Sequence, residues 1–227
     1  HLTTASIIMT RPIQTVLFDL DGTLLDTAPD LANALNATLR LNGLPPLPYE
    51  QIRPMVSHGG QALIKLGFRL GPGHADFEPL KKQLLDRYQA HIAEQTSLFP
   101  GMSDVLNSIE KLDLNWGVVT NKPAWLTEPL MDALDLTRRA STIVSGDTLN
   151  ERKPHPAPLL YACKVTGSKP DTCLYVGDAQ RDIEAGHNAG MPTLVAMFGY
   201  LMAEDKPETW GATALVQQPS DILNWIG

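Results

Sequence analysis

The stretch Phe18-Asp19-Leu20-Asp21-Gly22-Thr23-Leu24-Leu25-Asp26 closes the first apolar run of the chain, Thr15–Leu20, and its reading decides the fold. A short run of β-branched and apolar residues bounded by turn formers predicts a strand buried on both faces of a parallel sheet. Gly22 ends that strand, so Asp19 and Asp21 emerge together at its carboxyl tip. Two carboxylates this close repel each other unless a cation or a shared proton is present. The pairing suits phosphoryl transfer: one carboxylate attacks phosphorus and holds Mg²⁺, while the other shuttles a proton to the leaving oxygen. Read alone, Asp21-Gly22-Thr23 is more often a solvated turn. The rest of the chain has to decide.

Working outward, further runs of the same kind predict strands at Trp116–Thr120, Thr142–Ser145, Thr172–Val176 and Thr193–Met197. Helix-like stretches alternate with them at Ser103–Leu112, Ala124–Leu134, Ala157–Thr166 and Asp182–Ala189. Strands alternating with helices predict an α/β fold, a doubly wound, Rossmann-like parallel sheet. The segment 27–99 breaks the alternation and shows no convincing strand. Leu31, Ala34, Leu35, Thr38 and Leu39 follow a helical period, as do Leu80, Leu84, Leu85, Tyr88 and Ile92. The expected organisation is a catalytic core of residues 10–26 plus 100–227 with an all-helical domain, 27–99, inserted over the carboxyl ends of the strands. The crossings near Asp26 and Phe99 are the expected hinges.

Three more strand ends carry polar groups. Val118-Val119-Thr120-Asn121-Lys122-Pro123 ends a strand in a hydroxyl and an amide suited to phosphate oxygens, although Thr-Asn here is also ordinary turn chemistry. Lys153-Pro154-His155-Pro156 holds an ammonium in a stiff, non-helical approach to a helix, where it can act as a point charge on phosphate. His155 reads as structural or solvent-facing. Tyr175-Val176-Gly177-Asp178-Ala179-Gln180-Arg181-Asp182 ends a buried strand in two acids about one helical turn apart, and their hard oxygens suit Mg²⁺. Each element is weak alone. Together they set acids, a hydroxyl and a lysine at the carboxyl ends of successive strands.

The net charge of −7 argues against a nucleic-acid surface, which needs clustered Lys and Arg, but not against a small phosphorylated ligand. No apolar run is long enough to span a membrane. Cys163 and Cys173 form no metal pattern and are expected as buried, reduced thiols. The first ten residues do not read as a signal peptide, and Met9 is the expected native start. A cytoplasmic protein, monomeric or homodimeric, is expected. Trp125 and Trp210 are expected in the core.

The four elements in this order resemble the haloacid dehalogenase superfamily over Thr15 to Val216, and the helical insert is similar to its first type of cap domain. The resemblance implies that Asp19 is a nucleophile forming an aspartyl-phosphate. It implies that Asp21 is the general acid/base and binds Mg²⁺ through its carbonyl. Thr120 and Asn121 hold the phosphoryl group, Lys153 stabilises its charge, and Asp178 completes the metal set with Asp182 acting directly or through water. An acid at Asp21 separates phosphatases and phosphomutases from dehalogenases and ion-pump ATPases. The opening Asp19–Asp30 is similar to the phosphoglycolate phosphatase branch. Trp116–Pro123, Glu128–Met131, Phe198-Gly199-Tyr200 and Trp210-Gly211-Ala212 look more like the N-acetylmuramic acid 6-phosphate phosphatases. Ser57 and His58, in Val56-Ser57-His58-Gly59-Gly60, are candidate substrate contacts from the cap. Arg53 and Lys65 are expected at the surface. A β-phosphoglucomutase-like transferase, a pyrophosphatase or nucleotidase, and a catalytically silent phospholigand-binding module are the alternatives.

Overall fold

A computed structural model describes residues 12–227, so the expected start at Met9 lies outside the described residues. Six parallel strands form one sheet in the order β5-β4-β1-β6-β7-β8. They are β1 (Thr15–Phe18), β4 (Asn115–Val119), β5 (Ile143–Val144), β6 (Cys173–Gly177), β7 (Thr193–Ala196) and β8 (Ala214–Val216). The order reverses around β1, which pairs in register with β4 (Phe18 with Val118) and with β6 (Phe18 with Val176). That reversal opens a crevice at the carboxyl ends of these strands, where open α/β sheets bind ligands.

Alternation within the strands supplies both buried faces. Val16 and Phe18 point into a large core with Trp116, Val118 and Val176, whereas Leu17 packs on the other face with Val119, Tyr175, Leu159 and Ala185. Burying such side chains fully contributes roughly 1.5–3 kcal/mol each. The covering helices are α5 (Met102–Lys111), α6 (Ala124–Ala133), α7 (Ala157–Thr166) and α8 (Gln180–Ala189), within two residues of the predicted spans. Val105, Leu106 and Ile109 form the buried stripe of α5, as their spacing predicts.

Between β1 and α5 the chain runs through α1 (Ala28–Leu41), α2 (Tyr49–Ile52), a 3-10 turn at Arg53–His58, α3 (Gly59–Phe68) and α4 (Phe77–Ala90). Leu31, Ala34, Leu35, Thr38 and Leu39 are buried on α1. On α4 the fully buried residues are Phe77, Leu84 and Tyr88, and the helix stops before Ile92. Contrary to expectation the segment is not strand-free. The two-residue strands β2 (Leu25–Asp26) and β3 (Ser97–Leu98) pair antiparallel, Asp26 opposite Ser97, so both chain crossings lie in one ribbon. Buried Asp30 fastens the return: its carboxylate accepts from Gln95 N (3.0 Å), Thr96 N (2.9 Å) and Thr96 Oγ1 (2.7 Å).

Three further expectations change. The sheet gains β8, whose apolar signal is only a few residues long. Trp125 is 40% exposed on the first turn of α6, and Trp210 is only half-buried. Arg53 is half-buried, paired with Asp26 at 2.9 Å, while Lys65 is exposed as expected.

Candidate functional site

The site forms where β1, β4 and β6 end side by side. Asp19 follows β1 directly and is 4% exposed. Its Oδ1 accepts from Leu20 N at 2.8 Å and from Lys153 Nζ at 3.1 Å. Lys153 is equally buried, and its ammonium also reaches Asp182 Oδ1 (2.7 Å), Tyr175 OH (2.6 Å) and Val119 O (3.0 Å). These are more acceptors than the ammonium has protons, so the group is fixed in place. Tyr175 has no pattern in the sequence that marks it for this contact, although it sits two residues before Gly177-Asp178.

Asp19, Asp178 and Asp182 each offer an oxygen within 4.8 Å of the others. Burial, then Asp182, pushes the Asp19 carboxyl well above the usual range, against the pull of Lys153. Burial and Asp182 likewise raise Asp178 to about 6. Burial acts in the same sense on Asp182, but Lys153 and Arg181 outweigh it and hold that carboxyl below its ordinary value. Three buried acids thus confront the cations Lys153 and Arg181, a donor set of hard anionic oxygens left one positive charge short. Such a set fits a hard divalent cation. Asp182 is the least free of the three, because its other oxygen accepts from Ala179 N at 3.0 Å.

Asp21 lies across the cleft, and its carboxylate stands apart from that cluster. Its Oδ1 accepts from Thr27 Oγ1 (2.6 Å) and Lys122 Nζ (2.8 Å), while its backbone carbonyl faces Ser57 Oγ at 3.1 Å. Burial works against a charged Lys122, yet Asp21 and Tyr88 outweigh it and raise its pKa. The Tyr88 hydroxyl lies 2.8 Å from the same ammonium. Thr120 is buried at the tip of β4, with its Oγ1 accepting from Lys122 N at 3.1 Å. Asn121 lines the cleft, but its side-chain amide clasps the backbone of Lys153 from both ends (3.0 and 3.1 Å). That amide holds the loop that carries Lys153.

Ser57 and His58 do reach the cleft. Ser57 Oγ donates to Asp178 Oδ2 at 2.6 Å, and Arg181 donates to Ser57 O and stands 3.1 Å from His58 Nδ1. The cavity they help enclose measures about 450 Å³. Asp19, Asp21 and Lys153 line it together with apolar Leu31, Leu85 and Leu126.

Residues 16–196 match the pattern of the haloacid dehalogenase-like hydrolases. The chain belongs to that family. It is 42% identical over 212 residues to the N-acetylmuramic acid 6-phosphate phosphatase of Pseudomonas aeruginosa, covering 93% of this chain and 94% of that one. It is 43% identical over 210 residues to a phosphoglycolate phosphatase of Xanthomonas campestris pv. campestris, covering 91% and 93%. Among solved structures, a predicted phosphoglycolate phosphatase from Haemophilus somnus 129PT superposes with a TM-score of 0.84 at 28% identity, covering 95% of this chain and 98% of that one.

Within this haloacid dehalogenase-like hydrolase, Arg181, Lys122, Tyr88 and Tyr175 are the cleft residues that sequence reasoning left without a role. Arg181 carried a signal: a cation set between two acids that both turn into one site. Lys122 and Tyr88 carried none, since they are far apart in sequence and meet only in the folded chain, at 2.8 Å. His155 is exposed, its Nδ1 accepting from Ala157 N at 3.1 Å at the start of α7. Cys163 and Cys173 are buried free thiols, 3.4 Å apart.

Proposed function

We propose that this hydrolase is a Mg²⁺-dependent phosphomonoesterase that acts on a small anionic phosphate ester through an aspartyl-phosphate on Asp19. The observation that carries the reading is buried Lys153 held between Asp19 and Asp182, beside Asp178, at the floor of the cleft. Asp19, Asp178 and the carbonyl of Asp21 would hold the ion, which when bound neutralises charge on the carboxylates and the phosphoryl oxygens.

The chain's own groups divide the remaining work. Asp19 Oδ attacks phosphorus in line as the ester bond breaks. Lys153 and Thr120 bind the transferring oxygens in this reading, and fixed donors there stabilise charge without reorganising. Asp21 protonates the leaving alkoxide, then takes a proton from the water that hydrolyses the acyl phosphate. Residues 27–99 act as a cap over the cleft. Closure excludes water during the first step, and opening releases product.

Cavity size favours the larger of the two substrates named for the relatives. About 450 Å³ lies in the range of sites for ligands much bigger than a two-carbon acid. Apolar walls also suit the carbon face of a sugar. N-acetylmuramic acid 6-phosphate is therefore the preferred substrate and 2-phosphoglycolate the weaker one, in a reducing cytoplasm that leaves both cysteines as thiols. Phosphate release from the two esters, measured side by side with Mg²⁺ and with Asp19→Asn as blank, tests this. Equal or better turnover of 2-phosphoglycolate refutes the substrate assignment, and turnover by Asp19→Asn refutes the covalent mechanism.

A further inference from the structure

The segment Phe198-Gly199-Tyr200 stands out in the sequence and takes no part in the chemistry above. In the structure it touches both chain crossings and the acidic cluster at once. Tyr200 is 2% exposed. Its backbone N–H donates to Asp178 Oδ2 at 2.9 Å. Its hydroxyl donates to Asp26 Oδ1 at 2.6 Å and accepts from Ala28 N at 2.9 Å. Asp26 is the last residue of β2 and Ala28 the first of α1, so the phenol is bonded to the outgoing crossing itself.

The return crossing is held by the same loop. Phe99, next after β3, packs edge-on against Phe198 with ring centres 5.2 Å apart, and lies 6.2 Å from the Tyr200 ring. Gly199 lets the loop approach this closely: a Cβ there would collide with Gly22 O and Asp178 Cβ. From the helical side, the Arg53 guanidinium lies 4.8 Å over the Tyr200 ring while pairing with Asp26. The circuit closes at Asp178 Oδ2, which accepts from Tyr200 N–H on the core side and from Ser57 Oγ on the helical side.

We propose that Tyr200 is a positioning residue that ties the hinge to Asp178, so that divalent-cation binding and closure of the helical segment reinforce each other. The physical basis is shared geometry. A cation drawing on Asp178 fixes the carboxylate, which fixes the Tyr200 backbone and thereby the hydroxyl that grips Asp26 and Ala28. Linkage requires the reverse as well: a hinge held in its closed attitude must raise cation affinity by the same factor. The inference rests on the reading of Asp178 as a metal ligand.

Tyr200→Phe removes only the hydroxyl, leaving the ring and the N–H to Asp178. The measurements are Mg²⁺ affinity by calorimetry, without substrate, and amide hydrogen exchange at residues 25–30 and 96–99 with and without Mg²⁺. In the unaltered protein Mg²⁺ is expected to slow exchange at both crossings. In Tyr200→Phe, Mg²⁺ affinity should drop about five-fold or more, and saturating Mg²⁺ should leave exchange at 25–30 unchanged. If Tyr200→Phe is less stable but keeps the normal affinity and exchange response, the residue is only structural and the proposal fails. It fails equally if the unaltered protein binds Mg²⁺ with no change at the crossings. Absence of any Mg²⁺ binding overturns the metal reading and this inference together. Should Tyr200→Phe not fold, Asp26→Ala breaks the same link from the hinge side and is read the same way.

Discussion

Lys153 Nζ lies 2.7 Å from Asp182 Oδ1, an ion pair with both side chains almost wholly out of solvent. The pair fixes the ammonium where it also meets Asp19 at 3.1 Å, and under the proposed mechanism Asp182 would aim the lysine. Removing one partner of a buried pair typically costs about 3–5 kcal/mol because the other charge is stranded. Lys153→Ala is accordingly expected to unfold at markedly lower temperature and to release no phosphate. Added Mg²⁺ should recover part of that stability by binding only the folded state. A thermal melt unmoved by Lys153→Ala would contradict the pairing.

Asp19→Asn keeps the shape of the side chain and removes the nucleophile. Its circular dichroism and chromatographic behaviour should match those of the unaltered protein, while phosphate release falls to background. Burst-phase labelling of the unaltered protein with a ³²P-ester should leave acid-stable label that Asp19→Asn lacks.

Asp21→Asn tests the proton-transfer role. Loss of a general acid/base lowers kcat by roughly 10²–10⁴. The drop should be much smaller for p-nitrophenyl phosphate in the aspartyl-phosphate-forming step, because that leaving group needs no proton. Equal losses on alkyl and aryl esters would show that Asp21 mainly anchors Lys122 and Thr27, its partners at 2.8 and 2.6 Å.

His58 gives a pH dependence. Burial and then Arg181 lower its pKa below the ordinary value, against the opposing pull of Asp205, Asp182 and Glu204. The unfolded chain, with a histidine pKa of about 6.5, therefore binds more protons in the window between the two values. Stability from this group is present above that pH and is lost as pH falls through the folded-state value. Denaturant midpoints from pH 7.5 to 5 should decline more steeply for the unaltered protein than for His58→Asn, and parallel curves would remove His58 from the account.

Trp116 is 1% exposed, and its indole Nε1 has no hydrogen-bond partner among the described residues. Its ring packs edge-on against Phe18, centres 6.4 Å apart. Trp116→Phe relieves an unsatisfied N–H while leaving a small gap, so the two effects oppose each other. The expected change is within about 1.5 kcal/mol, far less than for truncation to Ala.

The site was legible from sequence where a strand end and a reactive residue coincide. Asp19, Thr120 and Asp178 could each be placed because a buried strand announces its own tip. The clasp of the Asn121 amide on the Lys153 backbone could not be read, because the two residues are distant in sequence and impose no pattern. Lys122 and Tyr88 were invisible for the same reason. Asp30 has no local pattern that reveals its role, because its carboxylate ties α1 to residues 95 and 96, far along the chain. Two-residue strands such as β2 and β3 lie below any periodicity signal. Trp125 shows the converse: an aromatic residue suggests burial, but its place on the helix circumference decided otherwise.

The β2–β3 ribbon has an evolutionary corollary. Because Leu25 faces Leu98 and Asp26 faces Ser97, the chain departs from the core and rejoins it at neighbouring points. Neighbouring strands run about 5 Å apart, a gap that a tight turn can span. The helical segment is therefore grafted at a single seam. Exchanging it for another insert of any length whose ends meet at that spacing would leave the order and register of the six-stranded sheet untouched. Substrate recognition could then diversify by transplantation while the phosphate chemistry beneath it is inherited unchanged.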